Sequence, residues 1–196
     1  MRDASMLYGL SLVLLLAGTS LASAADDVWA LLKKPGHIIL LRHSNAPGNT
    51  PESNDMNFKD CSIQRNLDAE GKAQAARIGD EFRKRQIATL RLISSQYCRA
   101  LDTARLTKLG PVTQNPVLNQ VFLANPGQMS EAATKGRELM KKIPAKQLTM
   151  LVTHVSNIQA MSGAKLDSGE HAWLDSVAGG YGEEFAAPVG LALIAG

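Results

Sequence analysis

The sequence predicts an α/β fold, a three-layer α/β/α sandwich built around a mostly parallel sheet. Two observations carry this. Apolar, β-branched runs such as His37-Ile38-Ile39-Leu40-Leu41 are continuous rather than alternating, which is the pattern of strands covered on both faces. Between such runs lie segments of helical periodicity, so that strand and helix alternate along the chain.

The elements follow in order. After a strand over 37–42, residues Asn45 to Gln64 are rich in Asn, Pro, Gly, Asp and Ser and read as a loop. A helix from about Asp68 to Arg85 keeps Gly71, Ala75, Ile78, Gly79 and Phe82 on one face and turns Lys72, Asp80, Arg83 and Lys84 outward, the stripe of a helix lying on a sheet. A strand over 90–94, a helix whose first turn carries Arg99, a short strand near Val112, a helix from about Gln128 to Lys142, a strand over 147–153 and a helix starting near Asn157 continue the alternation. A terminal hairpin is expected to pair Ala172-Trp173-Leu174 with Gly190 to Ile194 around Gly179-Gly180.

The first residues bear on compartment. A short polar start at Met1-Arg2, an apolar stretch from Leu7 to Ala17 and the Ala22-Ser23-Ala24 triplet have the pattern of an export signal over 1–24. The apolar run is shorter than the roughly 20 residues that cross a bilayer, so no stable membrane span is expected after cleavage. The remaining residues, 25–196, suffice for one domain with its own core, in a periplasmic or secreted setting. The whole chain has 21 Lys and Arg against 18 Asp and Glu. This balance is too mild for a nucleic-acid partner, and no basic tract interleaves with the few aromatics. Lys141-Lys142 and Arg83-Lys84-Arg85 read as solvated helix faces. With four histidines, none at His-x-x-x-His spacing, and two cysteines, neither a metal nor another cofactor is expected. Cys61 and Cys98 have no other cysteine to pair with, and an oxidising compartment makes a mutual disulfide the expectation, two separate thiols being the alternative.

Three strand ends carry the chemistry. Leu40-Leu41-Arg42-His43 ends the first strand, Arg99 follows the run Leu90-Arg91-Leu92-Ile93, and Thr149-Met150-Leu151-Val152-Thr153-His154 ends a later one. A parallel sheet gathers such ends at one edge, where α/β proteins bind their ligands. The set suits a phosphate dianion. A neutral imidazole, with a reference pKa of about 6.5, is nucleophilic near neutrality and can take a phosphoryl group, so His43 is the candidate nucleophile. Guanidinium groups match phosphoryl oxygens with paired donors, so Arg42 and Arg99 are candidate phosphate ligands, and His154, if protonated, is a third.

These segments resemble the histidine phosphatase superfamily, also called phosphoglycerate mutase-like, over most of the mature chain. The family has an Arg-His-Gly motif, here Arg42-His43-Ser44; a Ser-Ser-Pro-x-x-Arg-Ala-x-x-Thr-Ala motif, here Ser94-Ser95-Gln96-Tyr97-Cys98-Arg99-Ala100-Leu101-Asp102-Thr103-Ala104; and a late second histidine, here His154. Leu67-Asp68-Ala69-Glu70-Gly71-Lys72-Ala73-Gln74-Ala75 is similar to the family's Leu-Thr-x-x-Gly-x-x-Gln-Ala helix start, with Asp68 as N-cap. The resemblance also places Asn49 near the phosphate.

A phosphoester with an alkoxide leaving group needs a proton donor. Mutase-type members carry a glutamate ahead of the helix that precedes the last core strand, but Leu118 to Ser130 holds no acid here and Glu131 reads as an ordinary helix residue. Acid phosphatase members place Asp after the second histidine, where this chain has Val155. Glu170, just after the following helix, is therefore the expected donor, with Asp55, Asp60 and Asp102 as further candidates. The expectation is an exported phosphomonoesterase acting through phosphohistidine on a small phosphomonoester, an envelope sugar phosphate by the loose likeness to bacterial lipopolysaccharide core heptose phosphate phosphatases. The alternatives are a non-catalytic binder of phosphorylated sugars or lipid headgroups, and a cytoplasmic sugar-phosphate mutase, with which the export signal conflicts.

Overall fold

The structure, a computed structural model, describes residues 29–53, 55–87, 90–121 and 126–163, together with the backbone of three strands at 172–174, 184–186 and 191–195. The segment read as an export signal lies outside the described residues. The chain runs β1 (His37–Arg42), α1 (Ala69–Lys84), β2 (Arg91–Ser94), α2 (Cys98–Thr107), β3 (Val112–Gln114), α3 (Pro126–Lys141), β4 (Thr149–Thr153), α4 (Val155–Ser162), β5 (Ala172–Leu174), β6 (Glu184–Ala186) and β7 (Leu191–Ala195). The main sheet has the order β3-β2-β4-β1-β7. The first four strands are parallel, and β7 is antiparallel to β1.

Burial on both faces explains the continuous apolar strands. On one face Ile39, Leu41, Leu92, Met150 and Val152 pack against Ile78 and Phe82 of α1 and Ala100 and Ala104 of α2. On the other, Ile38, Leu40, Ile93 and Leu151 meet Ile158 and Met161 of α4, with Leu139 and Met140 of α3 against them. Successive strand residues point to opposite faces, so each strand feeds both cores and the three layers follow. Each fully buried Leu, Ile or Phe contributes about 1.5–3 kcal/mol relative to exposure. Close packing has a sequence cause at Gly79, where an added Cβ would fall 1.9 Å from the Thr107 carbonyl oxygen of α2.

The C-terminal hairpin is paired differently from expectation. Ala172–Leu174 pairs with Glu184–Ala186, and Leu191–Ala195 instead joins the main sheet beside β1, with His37 opposite Ala195 and Leu41 opposite Leu191. The physical reason is length. Apolar β1, paired on its other side by β4, needs a partner for a whole edge of backbone groups, and the five-residue β7 supplies it where a three-residue strand does not.

Register brings the site together. Arg42 lies opposite Thr153 across β1 and β4, and Ser94 lies opposite Val152 across β2 and β4. The residues leaving these strands, His43, Ser95 and His154, are therefore neighbours at one sheet edge. His43 N–H donates to Thr153 O at 3.0 Å and Ser95 N–H to Val152 O at 2.9 Å, extending the ladders one residue beyond the strands.

Candidate active site

His43 is 7 % exposed. Its Nδ1 lies 2.8 Å from the Ser44 carbonyl oxygen, which can only accept, so Nδ1 carries the proton and Nε2 keeps its lone pair. Nε2 faces Arg99, whose Nε–H donates to it at 3.2 Å. Burial, and then the positive charges of Arg99, Arg42 and Arg65, hold this imidazole well below its usual pKa, so it is neutral in the physiological range. Ser44, where the family motif has glycine, is buried; its N–H donates to Thr103 Oγ1 at 2.9 Å, and that hydroxyl donates to Arg99 O at 2.7 Å. Helix α2 thus fixes the turn after β1. Helix α1 does so from the other side, because at Gly71 a Cβ would stand 2.0 Å from the Asn45 carbonyl oxygen.

Arg99 occupies the first turn of α2 and has no exposed surface. Its guanidinium stacks 4.5 Å above the Tyr97 ring. Burial lowers its pKa, an effect that Glu52 opposes, and an arginine stays charged regardless. Nη1 donates to Glu52 Oε1 at 2.7 Å and to Arg65 O at 3.5 Å, and Nη2 donates to Gln120 Oε1 at 2.5 Å and lies 3.5 Å from His154 Nδ1. With Nε on His43, all three nitrogens are engaged.

His154 leaves β4 as the residue before α4, with its Nε2 2.9 Å from Ser95 Oγ and its ring edge-on to those of His43 and Tyr97. Burial first, then His43, Arg99, Arg65 and Arg42, keep its pKa well below normal. Burial therefore favours the neutral form of His154, a hydrogen-bonding group, and disfavours the protonation that a third cation requires. Asn157 of α4 donates to Asn119 O at 2.8 Å and accepts from Val121 N at 3.2 Å, which anchors the segment carrying Gln120.

Arg42, half-buried at the end of β1, and Arg65, half-buried in the loop before α1, complete the charges. Burial and Arg65 both lower the Arg42 pKa. The loop that carries Arg65 is tied to α2 at several points. Cys61 and Cys98 form the expected disulfide, with Cα atoms 5.8 Å apart. Gln64 Oε1 accepts from Cys98 N at 2.9 Å, and Glu52 Oε1 accepts from Arg65 N at 2.9 Å.

Of the residues singled out in the sequence, Arg42, His43, Arg99 and His154 meet in this cluster. Asn49 is exposed on the loop, and Glu170 lies outside the described residues. Glu131 is exposed and pairs with Lys135, Asp102 lies 3.5 Å from Arg105, Asp60 caps a 3-10 turn at Ser62, and Asp55 is exposed, so none of these acids joins the cluster. Glu52, Arg65 and Gln120 are the members that the sequence reading missed. Glu52 stood among several loop acids with nothing periodic to mark it. Arg65, three residues ahead of the predicted N-cap Asp68 and its helix, was the one with a signal available. Among the described residues no group of three or more His, Cys, Asp or Glu side chains is arranged to hold a metal ion, and no helix is long and apolar enough to cross a membrane.

The family model for the histidine phosphatase superfamily, branch 1, matches residues 38–143, from β1 to the end of α3. The chain belongs to the histidine phosphatase superfamily. It is a phosphatase by that membership, and its fold has solved counterparts. The candidate α-ribazole-5′-P phosphatase of Escherichia coli K-12 is 17 % identical, with a TM-score of 0.52 over 65 % of this chain and 78 % of that one. Rv3214 of Mycobacterium tuberculosis is 18 % identical, with a TM-score of 0.50 over 64 % and 77 %. The candidate phosphohistidine phosphatase SixA of Agrobacterium tumefaciens is 21 % identical, with a TM-score of 0.49 over 64 % and 73 %. For the two with TM-scores of 0.50 and 0.52, the likeness at these identities is one of fold. None of the curated proteins matches the sequence. The matched region of this histidine phosphatase holds Arg42, His43 and Arg99, while His154 follows it, directly after β4.

Proposed function

We propose that this histidine phosphatase is an exported phosphomonoesterase that hydrolyses its substrate through a phosphohistidine at His43. The observation that carries the reading is the buried, neutral imidazole with its proton pinned on Nδ1 and the Nε2 lone pair turned toward a cluster of guanidinium groups. In the first step Nε2 attacks phosphorus and the ester P–O bond breaks, while Arg42 and Arg99 hold the phosphoryl oxygens and His154 hydrogen-bonds to them. The leaving alkoxide takes a proton from a general acid, and in the second step the resulting base takes a proton from the water that attacks phosphorus and frees His43. Glu170 remains our assignment for that acid, on its position after the second histidine.

The export pattern over 1–24 supports a periplasmic or secreted setting, and the Cys61–Cys98 disulfide is consistent with it. A small envelope sugar phosphate is the substrate class we favour. A second reading, non-catalytic binding of a phosphorylated sugar or lipid headgroup, has one observation in its favour: the segment 118–121 brings the amide of Gln120 to Arg99, not an acid. Turnover of p-nitrophenyl phosphate, whose leaving group needs no proton donor, separates the two. The mature chain is expected to hydrolyse it and to accumulate an acid-labile phosphoenzyme on rapid quench. His43→Ala is expected to lose both, by about 10⁴-fold or more in rate. Undiminished turnover in that variant rules out the mechanism.

A further inference from the structure

The three guanidiniums of the site are not in equivalent states. Every nitrogen of Arg99 already has a protein partner. Arg42 and Arg65 make no side-chain hydrogen bond or ion pair among the described residues, and the Nε–H of Arg65 is buried without an acceptor. The charge of Arg65 acts on Arg42, Arg99, His43 and His154 alike, which places it within the field of the whole cluster. Two half-buried like charges and a buried unmatched donor are unfavourable unless an anion completes them. The backbone of Arg65 does not drift away to relieve this. Its N–H is held by Glu52 at 2.9 Å, its neighbour Gln64 is buried and bonded to Cys98 N, and the Cys61–Cys98 bridge closes the loop.

We propose that Arg65 is a substrate-binding residue, which joins Arg42 and Arg99 in holding the phosphoryl oxygens of a phosphate monoester dianion, Arg99 in addition fixing His43 and Glu52. The inference rests on the phosphatase reading for the identity of the anion, and it deepens that reading. The cluster carries three guanidinium charges and one carboxylate, with both imidazoles neutral, so two net positive charges await a ligand of charge minus two.

The test is the binding of inorganic phosphate to the full mature chain, measured by calorimetry and by the shift in melting temperature. Arg65→Gln is expected to weaken phosphate binding about 10-fold or more, as for the loss of a charge-assisted paired contact. The same variant without ligand is expected to melt no lower than the unaltered protein, because a side chain with no partner and a like-charged neighbour is being removed. A merely structural Arg65 would give the reverse, a lower melting temperature with an unchanged phosphate shift. Arg65→Lys keeps the charge and loses the planar fork, and should bind phosphate with an affinity between the other two. Phosphate affinity within about threefold of the unaltered protein in both variants overturns the proposal, being far below the effect of a lost preorganised donor. Binding does not require turnover, so the two readings fail separately. A protein that binds phosphate through Arg65 and never hydrolyses p-nitrophenyl phosphate overturns the phosphatase mechanism alone, and hydrolysis with unchanged affinity in the Arg65 variants overturns this inference alone.

Discussion

Arg99 and Arg65 belong to one pocket and differ in almost everything else. Arg99 rises from the first turn of a helix packed on the sheet, has no exposed surface and spends its donors on His43, Glu52, Gln120, His154 and a backbone carbonyl. Arg65 comes from an irregular loop, is half-buried and leaves its guanidinium unmatched. The ties that hold it act on the backbone, through Glu52, Gln64 and the disulfide, and not on the charged end. The difference separates a frame from a seat. Residues at a sheet edge inherit their positions from strand register, whereas a loop has no ladder and needs covalent and polar ties to present a side chain with comparable precision.

The comparison is broken most directly at Arg99. Its ion pair with Glu52 is buried on both sides, at 0 % and 7 % side-chain exposure. Arg99→Ala strands a buried carboxylate and removes the donor facing His43 Nε2, so it is expected to cost about 3–5 kcal/mol of stability as well as about 10² or more in kcat/KM. Urea unfolding alongside steady-state kinetics checks both. A variant that loses activity at full stability would mean that Arg99 is a ligand contact alone, with no part in the frame, and would dissolve the distinction.

The disulfide tests the loop side. Cys61 and Cys98 are separated by 37 residues, and in the chain-entropy account such a closure contributes about 3 to 4 kcal/mol. The double variant Cys61→Ser, Cys98→Ser is expected to unfold at correspondingly lower urea and, because the tie that presents Arg65 is gone, to bind phosphate more weakly while folded. Full stability in that variant would mean that Glu52 and Gln64 suffice to hold the loop.

The same division governs what could be read from the sequence. Arg42, His43, Arg99 and His154 were legible because each closes or follows an apolar run, and parallel register converts three separate runs into one edge. The buried faces of α1 were legible for a similar reason, since Ala75, Ile78 and Phe82 recur at helical spacing and are buried as expected. Glu52 and Arg65 have no such marker. Their positions depend on contacts with α2, 47 residues away for the Glu52–Arg99 bond, and nothing local distinguishes Glu52 from Asp55 or Asp60. Cys61 is the loop residue that could be placed, because a chain with two cysteines offers it one partner whatever the geometry. The terminal strands failed for a third reason: several short apolar runs compete for the same edges, and the choice made by β7 rests on the unpaired side of a strand some 150 residues earlier, beyond the reach of turn signals.

Glu52 stands between the two halves, and the smallest expected effect decides its side. Its Oε1 accepts from both Arg99 Nη1 and the Arg65 backbone N–H, so it positions the frame and the loop together. It also places a negative charge where an anionic substrate must approach, and it occupies a donor of Arg99 that could otherwise reach a phosphoryl oxygen. Glu52→Gln keeps an oxygen acceptor of the same shape for both donors and removes the charge. If positioning needs only the acceptor, the pocket gains a net positive charge with its geometry kept, and inorganic phosphate is expected to bind about three- to tenfold more tightly, on the order of 1 kcal/mol for a partly screened charge. That gain should shrink as salt is raised, because the added attraction is partly screened by ions. Calorimetric titration at two ionic strengths measures it. Weaker binding at low salt would show that the charge itself holds Arg99 and Arg65 in place, and Glu52 would then belong to the frame.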